Sequence, residues 1–499
     1  MTRMVALRDE APRGLPTRVL IGAAVLLVAL RLVLTFGVAP IGDEAYYWLW
    51  GQRLSLSYFD HPPLNACLLG LSSRIFGWNL FALRFPTWVT GALTLYLFYL
   101  WARRLAPADW QRWFWIAALI FLASPLYLAF TGIAFPDHLL VVTSLWASYA
   151  FALFLESWDR DEPAWHNLYW SALALGLAAL TKYNAVVVAA AMVLMVVLVP
   201  RRWRLLAAWQ VYAGALITVA VLSPVLAWNL QHDFASFRFH LGERYGGSLN
   251  PSFQVIRGYW LLYVIYISPL LLLPVVSFLF RQPSSGFPRV SHSLGRMIFL
   301  VSTILFSLMS MWTASAPYWN IVALAPLMPH LVAYIGARVQ LVLFVLYGLL
   351  FGTALGVNMG VVPLAALSDR PDWESSVVHG WPRITAELAA AEAAHAPDFI
   401  AATRYTLAAQ LAFHRGRDDV TALQARVDQF DYWFEPELHR GETALILADR
   451  TQRIDGETRA QFQRIEQVGE FQVERFGHVL NTYQLFVGYG FDASAEQGE

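Results

Sequence analysis

Two adjacent carboxylates, Asp43 and Glu44, open a stretch crowded with ionisable and aromatic side chains. Tyr46, Tyr47 and Trp48 follow, then Tyr58, Phe59, Asp60, His61 and two prolines. Similar mixtures recur at four further places: Pro136-Asp137-His138; Thr181-Lys182-Tyr183-Asn184; Trp228-Asn229 with His232, Asp233, Arg238, His240, Glu243 and Arg244; and Pro317-Tyr318-Trp319-Asn320. A carboxylate within hydrogen-bond reach of a hydroxyl can take its proton as the hydroxyl attacks. Lys, Arg or imidazolium can stabilise the charge that grows on a departing phosphate, and aromatic rings offer flat surfaces to sugar faces. Together these residue types suit transfer of a sugar from a lipid phosphate. Asp43, Glu44 and Asp137 are the candidate catalytic carboxylates. His61, Lys182 and Arg244, with Tyr58, Asp60, Trp319 and Asn320, are the candidate substrate-binding residues. His138, His232 and His240 lack tight ligand spacing, so neither a metal nor another cofactor is expected. With no nucleotide-binding fingerprint, a cytosolic sugar nucleotide is not the expected donor.

Each of these residues also has a plainer reading. Asp43 and Glu44 suit an ordinary polar helix end, and Glu44 can serve only to orient the loop. Asp137 suits a helix N-terminus. Lys182 suits an interfacial lysine that reaches toward water, yet it is the one lysine among 35 basic residues, which argues for a compact ammonium at that position. Arg31, within the first apolar run, reads as structural, because intramembrane charge is costly and usually paired.

Positioning such residues falls to elements built for lipid. Of the 499 residues, 58% are hydrophobic and 14% charged, against about 25% charged in a soluble domain, and mean hydropathy is +0.47. Formal net charge is zero, so no basic field argues for nucleic acid. One cysteine, Cys67, excludes an internal disulfide and a cysteine-rich metal site. About eleven apolar runs approach the roughly 20 residues a span needs: 19–38, 83–101, 113–131, 139–155, 168–180, 185–199, 206–228, 253–280, 297–312, 321–335 and 339–361. The first reads as a retained anchor, since no small-residue cleavage site follows it. Arginine placement orients the chain. One set of alternate connections carries Arg3, Arg8, Arg13, Arg18, Arg103, Arg104, Arg112, Arg160, Arg201, Arg202, Arg204, Arg281, Arg289, Arg296 and Arg338. The other carries Arg53, Arg74, Arg84, Lys182, Arg238, Arg244 and Arg257. The first side is then cytoplasmic, and all five polar clusters are expected to converge on the outer face.

From about Pro363 long apolar runs stop and charged residues become dense. Helices are predicted over 384–395 and 403–414, a buried strand over 444–447 and an alternating strand over 471–476. The expected architecture is a polytopic α-helical membrane domain, residues 1–361, followed by a soluble α/β domain, residues 362–499. The second has roughly 135 residues, an ordinary domain size.

The run Gly42-Asp43-Glu44-Ala45-Tyr46-Tyr47-Trp48, followed by Phe59-Asp60-His61-Pro62-Pro63, resembles the first external loop of the GT-C glycosyltransferases. Within them it is similar to the aminoarabinose lipid A transferases and the protein O-mannosyltransferases. Pro136-Asp137 resembles their second external loop, Ala179-Leu180-Thr181-Lys182 the turn after their fifth helix, and Tyr318-Trp319-Asn320 a pattern of bacterial members. The resemblance covers roughly the first 340 residues and is more specific in the first loop than beyond the seventh run. It implies that Asp43 is the essential acidic residue, that Asp137 is a second acid in the site, and that Arg244, with Arg238 as rival, matches a family arginine. Where the aminoarabinose enzymes place a phosphate-contacting lysine before the proline, this chain has His61, whose charge changes near neutrality.

These readings lead to an inverting glycosyltransferase of a bacterial cytoplasmic (inner) membrane. It would use a polyprenyl-phosphate sugar, with undecaprenyl as the carrier, and a glycan, lipid or protein acceptor at the periplasmic face. Membrane lipids, not nucleic acid, are its expected surroundings. A transporter or flippase for a lipid-linked sugar is the alternative. It would place ionisable residues near the bilayer midplane in broken, repeated helices, and no internal repeat is evident. A noncatalytic scaffold fits the stacked polar loops least.

Overall fold

A computed structural model describes residues 15–242, 251–367 and 373–492. Contacts group the chain into two compact units. One holds residues 1–32, 61–65 and 86–353; the other holds 33–60, 66–85 and 354–499.

Most of the first unit is helix. Six helices are long and apolar enough to cross a membrane: Thr17–Gly37, Leu80–Leu105, Asp137–Asp159, Trp209–Gln231, Gly286–Met309 and Arg338–Val361. Two bent pairs raise the number to eight if each is one span. Tyr183–Val197 with Pro200–Ala207 turns by 109°, and Phe253–Ile267 with Pro269–Phe280 by 83°. The expected eleven runs therefore do not become eleven long helices among the described residues. Proline is one cause, since it lacks a donor and clashes with the preceding turn. The third run breaks at Ser124-Pro125 into Trp110–Ala123 and Pro125–Phe130, and the tenth, with Pro326 and Pro329, splits into short helical pieces. The fifth forms a helix of only 15 residues, Trp165–Ala179. Phe98, Trp101, Phe121, Leu140, Phe278, Ile298 and Leu327 belong to one buried apolar cluster. Arg31, 5% exposed, donates to the Thr131 carbonyl and hydroxyl and lies 5.7 Å over the Trp88 ring. Its partners agree with the structural reading.

The second unit carries helices Gly42–Gln52 and Leu80–Leu105 in part, helix Leu64–Phe76 from Ala66 onward, and a five-stranded sheet. Its strands are β1 (Phe399–Ala402), β2 (Val420–Ala422), β3 (Ala444–Asp449), β4 (Phe462–Arg475) and β5 (His478–Phe491). They lie in the order β2-β1-β3-β5-β4. β1 runs parallel to β2 and β3, whereas β5 runs antiparallel to β3 and β4. Every residue of β3 is buried, as a central strand covered on both faces requires. Helices Trp381–His395 and Tyr405–Arg415 stand where the sequence predicts them. The second ends at Gly416, whose φ of +69° supplies the left-handed cap.

Two glycines fix the helix that bears the paired carboxylates. A Cβ on Gly51 would stand 2.7 Å from the Gly70 nitrogen, so helices Gly42–Gln52 and Leu64–Phe76 cross backbone to backbone. Any side chain there would force them apart.

Candidate active site

In the second unit, Asp43 and Glu44 form the first turn of helix Gly42–Gln52, where the helix dipole favours negative charge. The two neighbours have different surroundings. Glu44 is fully buried. Its carboxylate takes two hydrogen bonds from Arg84, Nε at 2.8 Å and Nη2 at 2.6 Å, and a third from the Ile41 amide at 3.3 Å. Arg84 also donates to the carbonyls of Thr35 at 2.7 Å and Val38 at 2.9 Å. Glu44 is thus committed to locking the end of one helix to the start of the next. Asp43 is half-buried and accepts a 3.0 Å hydrogen bond from the Tyr405 hydroxyl. Burial, then the carboxylates of Asp43 and Asp60, push the Tyr405 phenol well above its usual range, so it stays a donor.

Asp60 belongs to the same network. It accepts from Tyr46 Oη at 2.8 Å and Arg426 at 3.3 Å, and the Arg426 guanidinium lies 5.3 Å over the Tyr405 ring. Tyr46 packs 4.7 Å from that ring and accepts the Gln429 amide. Asp428, nearly fully buried, is raised to about 8 by its burial and then by Asp431. Tyr58 is placed otherwise. Fully buried, it stacks on Trp50 at 4.5 Å and donates to the Trp50 carbonyl at 2.8 Å, bracing the loop from within.

In the first unit, Asp137 begins helix Asp137–Asp159 and Lys182 follows helix Trp165–Ala179. Lys182 Nζ lies 3.0 and 2.9 Å from the two Asp137 oxygens, and both residues are buried. The ammonium also sits 5.0 Å over Tyr318, which stacks on Phe130 at 4.3 Å. A buried carboxylate held this way requires its cation: removing either partner of such a pair costs about 3–5 kcal/mol. The 61–65 segment is tied to the same turn, because the Leu64 amide donates to the Leu180 carbonyl at 3.1 Å. His61 packs 6.1 Å from His240, itself 4.9 Å from Tyr183. Asn184 donates to the Trp319 carbonyl at 2.9 Å. Asn320 turns inward, to Ser302 at 2.5 Å and Thr303 at 3.1 Å.

The first unit thus joins Asp137, Lys182 and Tyr318, with His61 and His240 linked to the adjoining Tyr183. The second joins Asp43, Tyr405, Tyr46, Asp60 and Arg426. Arg238 is exposed on helix Ala235–Leu241, whereas Arg244 and Glu243 lie outside the described residues. Among the described residues no group of three or more His, Cys, Asp or Glu side chains is placed to hold a metal ion. Arg84, Tyr405, Arg426 and Asp428 were not singled out by the sequence, in which no local pattern marks them.

Comparison with known proteins places these residues in a family context. The family model for dolichyl-phosphate-mannose-protein mannosyltransferases matches residues 60–228, a stretch that contains Asp137 and Lys182 but not Asp43. An undecaprenyl phosphate-alpha-4-amino-4-deoxy-L-arabinose arabinosyl transferase of Pseudomonas aeruginosa is 30% identical over 188 residues, 37% of this chain and 32% of that protein. Lipid A galacturonosyltransferase RgtD of Rhizobium johnstonii is 24% identical over 200 residues, 39% of this chain and 40% of that protein. The matches therefore span a third to two fifths of these relatives' length. Among solved structures, ArnT from Cupriavidus metallidurans bound to undecaprenyl phosphate superposes with a TM-score of 0.63 at 14% identity, over 93% of this chain and 98% of that one. The archaeal oligosaccharyltransferase AglB from Archaeoglobus fulgidus gives 0.50 at 12% identity, over 86% and 69%. The chain has the polytopic GT-C fold, and its resemblance to the GT-C glycosyltransferases is borne out.

Proposed function

We propose that this GT-C chain is an inverting glycosyltransferase that moves a sugar from a polyprenyl phosphate, with undecaprenyl as the carrier, to a cell-envelope acceptor. The observation that carries the reading is the contrast between the adjacent carboxylates. Glu44 is consumed by a buried ion pair, while Asp43 stays half-buried at a helix N-terminus with a phenol donor fixed against it. Such a carboxylate is suited to take a proton from an acceptor hydroxyl. The acceptor oxygen attacks the anomeric carbon from the face opposite the phosphate. As the new C–O bond forms, the bond to phosphate breaks; the hydroxyl proton goes to Asp43 and the electron pair leaves with the polyprenyl phosphate. Lys182, Arg244 and His61 are assigned to the phosphate, which needs positive charge as it departs. Asp137 holds Lys182 and helps to place the acceptor. Glu44 orients the catalytic helix. Asp60 is assigned to substrate binding, as is, separately, Trp319, whose ring offers a sugar face.

The relatives' names, an arabinosyl transferase and a lipid A galacturonosyltransferase, support a sugar on a lipid carrier and a lipid acceptor. The shorter helices, on this reading, complete eleven crossings, with the catalytic loops and the domain from residue 362 onward in the periplasm of a bacterial inner membrane. Reconstituted vesicles given a radiolabelled polyprenyl-phosphate sugar and extracted lipid A test the activity. Label moves into lipid A if the reading is right, and stays on the carrier or merely changes leaflet if it is wrong. In a Cys67→Ser background, a cysteine at Asp398 should react with an impermeant thiol reagent in cells with a permeabilised outer membrane, and one at Arg289 should not. The opposite pattern overturns the orientation.

A further inference from the structure

Far along helix Asp137–Asp159 from Asp137, the first unit contains a cavity of about 210 Å³ whose walls are apolar. Phe154, Leu168, Met192, Val196, Leu206 and Val211 line it, together with the small residues Gly214 and Ala215. Phe154 is 17 residues beyond Asp137, or roughly 25 Å along a helix rising about 1.5 Å per residue. The cavity is therefore separate from the Asp137–Lys182 pair.

Its rim has the opposite character. The chain turns by 109° from Tyr183–Val197 into Pro200–Ala207, so the short helix Pro-Arg-Arg-Trp-Arg-Leu-Leu-Ala crosses the end of its predecessor. Leu205 is buried, whereas Arg201, Trp203, Arg204 and Leu206 are exposed. The Trp203 indole donates to the Val197 carbonyl and Tyr212 to the Leu206 carbonyl, both at 2.7 Å, while Trp209 stands 69% exposed. Trp and Tyr beside arginine mark the depth where hydrocarbon gives way to headgroups. Arg202 is buried against Asp159 at 2.6 Å, whereas Arg201 pairs with the exposed Asp161 at 3.0 Å. Among the described residues Arg204 makes no ion pair.

An apolar slot beneath an exposed cationic rim fits a molecule with one hydrocarbon chain to bury and an anionic group one headgroup's distance away. A zwitterionic headgroup also presents a phosphate, but its quaternary ammonium is repelled by the two guanidinium groups. We propose that this groove is a binding site for an anionic diacyl phospholipid, one acyl chain in the cavity and the headgroup phosphate on Arg204 and Arg201. Guanidinium matches a phosphate with paired hydrogen bonds. The proposal does not rest on the glycosyltransferase reading.

The test uses the full chain in detergent, with native mass spectrometry during titration with phosphatidylglycerol, phosphatidylcholine or undecaprenyl phosphate. The unmodified protein should retain one phosphatidylglycerol with at least about tenfold preference over phosphatidylcholine, since each basic residue near an anionic headgroup contributes several-fold. Arg201→Gln with Arg204→Gln should bring the two phospholipids level, and Ala215→Phe, which fills the groove, should abolish retention of both. The arginine variant changes only exposed side chains, so it keeps the test valid if Ala215→Phe fails to fold. Equal binding of the two phospholipids by the unmodified protein, or an intact preference after loss of both arginines, overturns the proposal. So does displacement of phosphatidylglycerol from this groove by undecaprenyl phosphate, which would assign the slot to a polyprenyl chain. None of these outcomes alters the sugar-transfer assay, so failure here and failure of the glycosyltransferase reading are told apart.

Discussion

Replacing Arg84 by leucine should destabilise the protein strongly while leaving the proposed base in place. The Arg84 and Glu44 side chains are 2% and 0% exposed and only 2.6 Å apart. Arg84→Leu leaves the Glu44 carboxylate buried without its cation, a situation that costs about 3–5 kcal/mol. The Thr35 and Val38 carbonyls lose their donor as well. Glu44→Gln keeps the shape but strands Arg84, with a cost of similar order. Removing both charges in Glu44→Met/Arg84→Leu should cost much less than the sum, about 1–3 kcal/mol, because only the carbonyls remain unpaired. For a cooperative unit of this size, the single variants correspond to a drop in melting temperature on the order of 10 °C. Thermal unfolding of the three detergent-solubilised variants measures this, and turnover per folded molecule is read in parallel. Glu44→Gln should keep turnover within a few-fold of the unmodified enzyme once corrected for folded fraction. Single variants melting within 2 °C of the unmodified protein, or a double variant as unstable as the sum of the singles, would refute the reasoning.

Other consequences follow from the same geometry. Tyr405→Phe removes a charge-assisted hydrogen bond that positions the Asp43 carboxylate, so turnover per folded molecule should fall about tenfold; unchanged turnover would show that the contact does not bear on the base. Lys182→Ala should weaken binding of the polyprenyl-phosphate donor by about 1.5–3 kcal/mol, measured by titration of the donor, and unchanged donor affinity would remove Lys182 from the phosphate site. Asp428, raised to about 8 from 3.8, keeps in the folded protein a proton that the unfolded chain has released. Its contribution to stability should therefore fall as pH rises from about 4 to about 8, by at most about 1.4 kcal/mol per unit. Asp428→Asn should flatten that slope in melting curves, and an identical slope in the variant would refute the assignment.

The sequence exposed one side of each polar arrangement. Asp43 and Glu44 stand out because they share a stretch with aromatics and His61-Pro62-Pro63, and Asp137 and Lys182 because they sit at the ends of apolar runs. Their partners are harder to read. Arg84 meets Glu44 from 40 positions away and Tyr405 meets Asp43 from 362, distances over which no periodicity operates. The different surroundings of two neighbouring carboxylates are visible only once those partners are in place. Apolar runs located the long apolar helices but not all their breaks: a hydropathy window passes over Pro326 and Pro329, which divide the tenth run. In the C-terminal region, β3 was legible because its first five residues, Ala444 to Ala448, are all apolar. β5 was not, since Asn481, Thr482, Gly488 and Gly490 interrupt its pattern, and only pairing with β3 and β4 identifies it.

The central claim is that Asp43 takes the acceptor proton, and Asp43→Asn tests it most directly. The amide keeps size and can still accept the Tyr405 hydrogen bond, so folding and donor binding should survive while basicity is lost. The measurement is the initial rate of sugar transfer from a polyprenyl-phosphate donor at saturation, with folded protein matched by its melting curve. General-base catalysis contributes roughly 10²–10⁴-fold, and turnover should fall by at least that order. Turnover close to that of the unmodified enzyme would contradict the account.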